Sequence, residues 1–181
     1  MVIRHTFDFA HGARLVMCCL VAAVTWSSSG SAWAARYAWV VGNSNYSQRE
    51  LWGDLPGARI DAAQVARALR EAGFVVINSA HTTDLSREQM QQQFEDLVQK
   101  LTPNDQLVVY FSGHGLRMSD ADFLVPTDAT AETVRTSEGL VSVDYLMGQV
   151  NQRRAGFAVF IFDACRSSPT RDKAMANSSA S

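Results

Sequence analysis

The sequence predicts an α/β fold, a three-layer sandwich in which helices cover a mostly parallel sheet. Three observations carry that expectation. Short apolar runs alternate with amphipathic helical stretches along most of the chain. Two of the runs, Gln106 to Phe111 and Gly156 to Phe162, are unbroken and rich in β-branched and aromatic residues, as strands buried on both faces are. The connections between runs are long enough to hold a crossover helix, which makes right-handed βαβ units the expected connectivity.

In chain order, Arg36 to Val41 (RYAWVV) reads as the first strand and breaks at Gly42-Asn43-Ser44-Asn45-Tyr46, a turn-forming cluster. Asn43 and Asn45 read as turn residues at the edge of a cleft. Ser47 to Pro56 reads as an irregular loop. From Gly57 to Ala72, Ile60, Val65, Ala68 and Leu69 recur at helical spacing among strong helix formers, and Gly73 supplies a C-terminal stop. Phe74 to Ile77 is the second strand, followed by a polar loop that holds His81 as a solvated side chain. Ser86 with Gln89 forms a capping box for a helix whose inner face is Met90, Phe94, Leu97, Val98 and Leu101, ended by Thr102-Pro103-Asn104-Asp105. Gln106 to Phe111 is the third strand. Phe123 to Pro126 reads as a short extended element of an edge hairpin, and Thr127 to Leu140 as a polar loop. Ser142 caps a helix to Asn151 with Tyr145, Leu146 and Val150 inward, and Gly156 to Phe162 is the fourth strand. Thr170 to Ser181 is polar and is expected to be disordered.

The formal net charge of −2, with basic residues scattered rather than striped, argues against a nucleic-acid partner. The amino terminus has the pattern of a secretory leader over residues 1–34. Arg4 and Arg14 flank a polar start, Leu15 to Trp26 is an apolar run, and Ala32-Trp33-Ala34 supplies an A-x-A cleavage site after Ala34. The apolar run is short for a transmembrane span, so no stable membrane insertion is expected once the leader is removed. Met17 before Cys18 argues against a lipid-attachment site. The mature chain then retains one cysteine, Cys165, which excludes an internal disulfide and makes a reactive thiol the expectation at a strand end.

Cysteine hydrolysis needs a thiolate, a nearby imidazole and oriented N–H donors for the developing oxyanion. The mature chain has two histidines, His81 and His114. His114 lies between Gly113 and Gly115 directly after the third strand, and Cys165 follows the fourth. The cysteine is 51 residues beyond the histidine, close to the spacing of about 50 in caspases. The segments WVVGNSNY, LPGARIDA, VVYFSGHG and FIFDACRSS together resemble the caspase-like cysteine peptidases, the group of caspases, metacaspases and bacterial orthocaspases. The resemblance covers residues 35–169, which corresponds to the catalytic domain's large-subunit region.

That resemblance implies a cysteine endopeptidase with Cys165 as nucleophile, His114 as general acid/base, and the backbone N–H groups of Gly115 and Cys165 as oxyanion hole. Caspases carry Gln two residues before the cysteine; here Asp163 stands there, as in metacaspases, whose pocket takes Arg or Lys. Asp61 and Ser112 match the other pocket positions. Convergent carboxylates favour a guanidinium or ammonium, so cleavage after Arg or Lys is expected. Arg166 reads as a brace for the site loop. No cofactor is implied and no metal site is expected, although some metacaspases require calcium; Asp120, Asp122 and Asp128 are acidic loop residues without an EF-hand spacing. The expected partner is a peptide or protein substrate, and the expected location is periplasmic or secreted, in a bacterium. The family's fold continues past the cysteine with a small-subunit region. Most of that region is missing here, which predicts an exposed sheet edge open to self-association or to a partner chain.

Overall fold

The computed structural model describes residues 34–77 and 83–166, with the backbone alone for Cys165 and Arg166. The leader up to Trp33, His81, Ser167 to Pro169 and the tail from Thr170 lie outside the described residues. Among the described residues there are six strands: β1 (Arg36–Gly42), β2 (Val75–Val76), β3 (Gln106–Met118), β4 (Ala121–Leu124), β5 (Val141–Ser142) and β6 (Phe157–Arg166). Five helices join them: α1 (Arg49–Trp52), α2 (Pro56–Glu71), α3 (Arg87–Val98), α4 (Ala131–Arg135) and α5 (Val143–Arg153).

The strands form one sheet in the order β2-β1-β3-β4-β5, with β6 paired to β3. The pairs β1–β2, β1–β3 and β3–β6 are parallel. The β3–β4 and β4–β5 pairs are antiparallel. The sheet is therefore mixed, and the expectation of a mostly parallel sheet holds for its β2-β1-β3-β6 part. The antiparallel part comes from β4, where Phe123 to Pro126 was read as an element of an edge hairpin, and from the two-residue β5, which is too short for periodicity to show.

Strand alternation assigns the two faces. Ala38, Val40 and Tyr110 pack with Ala62 and Ala66 of α2. The intervening residues Trp39, Val41, Leu107, Val109 and Phe111 pack with Met90, Phe94 and Leu97 of α3 and with Leu146 and Val150 of α5. Trp39 meets Phe94 edge-on, with ring centroids 5.2 Å apart. A third, smaller core lies at the carboxyl end of the sheet, built from Tyr46, Leu116, Val125, Ala129, Val134 and Leu140 with Trp52 and Leu55 beside it. Three helices are fixed by the features legible in the sequence. Ser86 caps α3 with a reciprocal capping box, Ser142 accepts from the Tyr145 N–H at the start of α5, and Gly73 takes φ +85° after α2.

Two boundaries differ in a way that matters for the site. β3 does not stop at Phe111: it runs through the Gly-His-Gly segment to Met118. β6 likewise continues past Phe162 to Arg166. His114 and Cys165 are thus strand residues rather than residues of the loops beyond.

Candidate active site

The registry of the two long strands brings the predicted dyad together. His114 on β3 pairs with Cys165 on β6, and two steps earlier Ser112 pairs with Asp163. Adjacent strands lie about 4.8 Å apart, so the backbones of positions 114 and 165 are immediate neighbours. Gly115, the expected oxyanion donor, pairs with Arg166 on one side and with Leu124 of β4 on the other.

Aromatic walls hold His114. The Tyr46 ring lies 4.8 Å from the imidazole, centroid to centroid, and the Trp52 ring 5.6 Å away. The His114 N–H donates to the Tyr46 hydroxyl oxygen at 2.9 Å. Trp52 is anchored in turn, its indole N–H donating to the Ala129 carbonyl at 2.9 Å. Burial lowers the pKa of His114, against the pull of the Gly53 and Trp52 backbone carbonyls, which favour the protonated ring. Its Nε2 is buried and meets no hydrogen-bonding partner among the described residues. A neutral imidazole at neutral pH with one unengaged nitrogen is the state a general base requires.

Gly113 explains how Tyr46 comes so close. A Cβ there would lie 2.7 Å from the Phe111 ring and 2.9 Å from the Tyr46 hydroxyl, both closer than real contacts allow. The glycine before the histidine thus makes room for the aromatic wall inside the protein.

The three pocket candidates fall on the α2 face. Ser112 follows Tyr110 by one strand period, Asp163 is register partner to Ser112, and Asp61 lies on α2 above that face. Ser112 is buried, whereas Asp61 is half-buried and Asp163 exposed. They converge on the Tyr110 phenol. Burial raises its pKa, the Asp163 and Asp61 charges add to that rise, and Ser112 is its hydrogen-bond partner. Two carboxylates and two hydroxyls facing one patch form a cation-seeking surface.

The asparagines after β1 do different work from lining a cleft. Asn43 is fully buried and cross-braces the chain: its carbonyl oxygen accepts from the Leu85 N–H at 2.9 Å, and its amide donates to the Leu85 and Val125 carbonyls. Asn45 binds Asp84 through its N–H and its side-chain amide at 2.8 Å each. Asp84 sits at φ +57° and also accepts from the Ser44 N–H at 2.7 Å and from Arg59 of α2. Partial burial pushes its carboxyl up, but the donors from Asn45, Ser44 and Arg59 outweigh that and hold it below the usual carboxylate range.

The acidic loop residues do not converge. Asp120 and Asp122 each lie 3.7 Å from Arg117, and Asp128 accepts from the Arg87 N–H that opens α3 at 2.9 Å. Among the described residues no group of three or more His, Cys, Asp or Glu side chains is placed to hold a metal ion.

Sequence reading missed Tyr46, Trp52 and Tyr110. Tyr110 was legible, because period two on β3 puts it on the face of Ser112. Tyr46 and Trp52 carry no local signal; only the folding of the 42–55 segment over the sheet end brings them to His114.

Comparison with known proteins agrees with this fold. A family model described as Caspase domain matches residues 35–180. A crystal structure of a Geobacter sulfurreducens protein superposes with a TM-score of 0.57 at 20% identity, covering 79% of this chain and 55% of that one. At that identity the likeness speaks for the fold, and this chain spans just over half the length of that relative. No curated protein matches the sequence.

Proposed function

The chain belongs to the caspase-domain family of cysteine peptidases, and on that premise we propose that it is an endopeptidase cleaving after Arg or Lys. In this reading the Cys165 thiolate attacks the scissile carbonyl. The carbon–sulfur bond forms as the oxyanion is met by the N–H groups of Gly115 and Cys165. His114, carrying the proton it takes from the Cys165 thiol, delivers it to the amine as the carbon–nitrogen bond breaks, and the neutral imidazole then activates the water that displaces the thiolate and releases the acyl group as a carboxylate. Asp61, Ser112 and Asp163 receive the cationic side chain. The observation that supports the reading is the register His114–Cys165 with Ser112–Asp163 beside it on the same two strands.

The reading includes export, with the leader removed after Ala34 and the mature protein periplasmic or secreted. Among the described residues no helix is long and apolar enough to cross a membrane. It needs no cofactor for the chemistry, and calcium enters the test as a separate arm.

The test is hydrolysis of fluorogenic peptides with Arg, Lys or Asp before the scissile bond, with and without calcium, beside Cys165→Ala. Turnover of the basic peptides that disappears in Cys165→Ala is the expected result. Turnover of the Asp peptide alone would overturn the pocket while leaving the dyad. Absence of turnover from folded protein would favour a second reading, a non-catalytic interaction module that associates with itself or with another chain along β6. Exposure of Phe157 and Ile161 at 56% and 46% on that strand favours this alternative.

A further inference from the structure

The amino-terminal edge of the sheet is organised around a buried carboxylate. Asp105, 4% exposed, precedes β3. One carboxylate oxygen accepts from the Thr102 N–H at 2.8 Å and the Thr102 hydroxyl at 2.9 Å. The other accepts from the Ala35 N–H at 2.7 Å, across 70 positions of sequence. Its backbone carbonyl accepts from the N–H groups of Gly156 and Phe157 at 3.0 and 3.3 Å, and the Gln106 N–H donates to the Ala35 carbonyl at 2.8 Å. Asp105 therefore joins the starts of β1, β3 and β6. Burial raises its carboxyl, and the Thr102 and Ala35 donors more than offset this, so it is ionised well into acid.

Ala35 is also the residue that follows the Ala32-Trp33-Ala34 cleavage pattern. Ala34 is exposed and Ala35 half-buried, so the bond between them lies at the surface of the folded unit. We propose that Asp105 is a receptor for the processed amino terminus. Hydrolysis of the Ala34–Ala35 bond by a leader peptidase adds one water; Ala34 departs as a carboxylate and Ala35 gains an α-ammonium. The amide N–H that Asp105 holds in the uncut chain becomes a charged donor at the same place. A charge-assisted hydrogen bond on a buried carboxylate is roughly twice as strong as its neutral counterpart. Leader removal is thereby converted into a tighter clamp on the three strands, two of which carry His114 and Cys165.

The other charged side chains of the elements meeting here are Arg36 on β1, Glu71 at the end of α2, Lys100 after α3, and Arg153 and Arg154 at the end of α5. The Asp105 carboxylate accepts from Ala35 and Thr102 rather than from these cations, and Arg36 donates instead to the Ala72 carbonyl. The α-amine is thus the group whose titration the clamp reports. Its pKa rises in the folded state, so its contribution is complete below the unfolded value near 8 and is lost as pH climbs through the folded value.

The experiment uses the full chain, expressed with its leader in an exporting bacterial host. The mass of the mature product is measured first, then its Tm from pH 6 to pH 10. The same product after selective Nα-acetylation, and Asp105→Asn, are measured beside it. Acetylation restores the neutral amide of the uncut chain and removes only the charge. The expected result is a mass beginning at Ala35 and a Tm at pH 7 about 4 °C above that of the acetylated protein. That gap closes by pH 10 and is absent in Asp105→Asn. A mature chain beginning elsewhere, or equal Tm for free and acetylated termini at pH 7, overturns the proposal. Neither result depends on peptidase activity.

Discussion

At the scale of single residues, the site is a histidine held by aromatic surfaces and by its own backbone rather than by a charged partner. The Tyr46 hydroxyl accepts the His114 N–H while burial raises the phenol's pKa strongly, so it acts as a fixed acceptor across the working pH range. Tyr46→Phe leaves that N–H unpaired in a half-buried place. We predict a stability loss of about 1–3 kcal/mol, read by urea denaturation, together with slower turnover of the basic peptides at an unchanged KM. The pH behaviour follows from the lowered pKa of His114. The unfolded chain binds the proton more readily than the folded one between the folded value and the ordinary 6.5. Stability therefore falls as pH drops below about 6.5 and levels off once both states are protonated. Activity that needs the neutral ring declines only at the lower, folded value. A pH–rate profile with its acid limb at or above 6.5 would contradict the burial argument. His114 and Cys165 were legible because strand signals, glycines and spacing all coincide there. Tyr46 was not, because its role depends on a contact across 68 positions.

At the scale of elements, the close fit of α2 on β1 sets where Asp61 stands. A Cβ at Gly42 would lie 2.4 Å from the Ala58 carbonyl oxygen and 2.7 Å from the Ala62 Cβ. Both obstacles are helix backbone or its first side-chain atom and cannot swing aside. Gly42→Ala should push α2 off the sheet at a cost of about 1–3 kcal/mol, visible as a lower urea midpoint with the denaturant slope unchanged. A variant as stable as the parent would show that the helix shifts freely. Arg59 on the same helix pairs with Asp84, tying Asp61's helix to the loop that carries Tyr46. The helices α2, α3 and α5 were legible from periodicity, caps and stop signals. The helices α1 and α4 have four and five residues, below the length at which a 3.6-residue period can be seen. The end of β3 was misplaced for a different reason. Glycines flanking a histidine read as a break in sequence, whereas here Gly113 serves close packing and Gly115 has register partners in strands on both sides.

At the scale of the whole molecule, the sheet carries an apolar margin. Along β6, Phe157, Ala158 and Ile161 are exposed, and among the described residues the strand pairs with β3 alone. Unpaired apolar strands attract further strands, and an inserted lysine is a common deterrent. We predict concentration-dependent association in sedimentation velocity, shifted toward the monomer by Ile161→Lys; sedimentation of the parent as a monomer at all concentrations would refute it. The apolar run of β6 was legible in the sequence, and Phe123 to Pro126 as part of an edge hairpin, whereas the two-residue β5 was not. The place of β3 between these neighbours also has a consequence for how the chain folds. Its turn with β4 closes over a few residues, with Met118 opposite Ala121, and local closures of that kind form in microseconds. The long-range pairings of β3 with β1 and β6 must wait for larger loops to close. Because β6 follows the other described strands in the chain, His114 gains its neighbour at position 165 only after they have been made, and a chain on which β6 has not yet docked holds the histidine without the thiol.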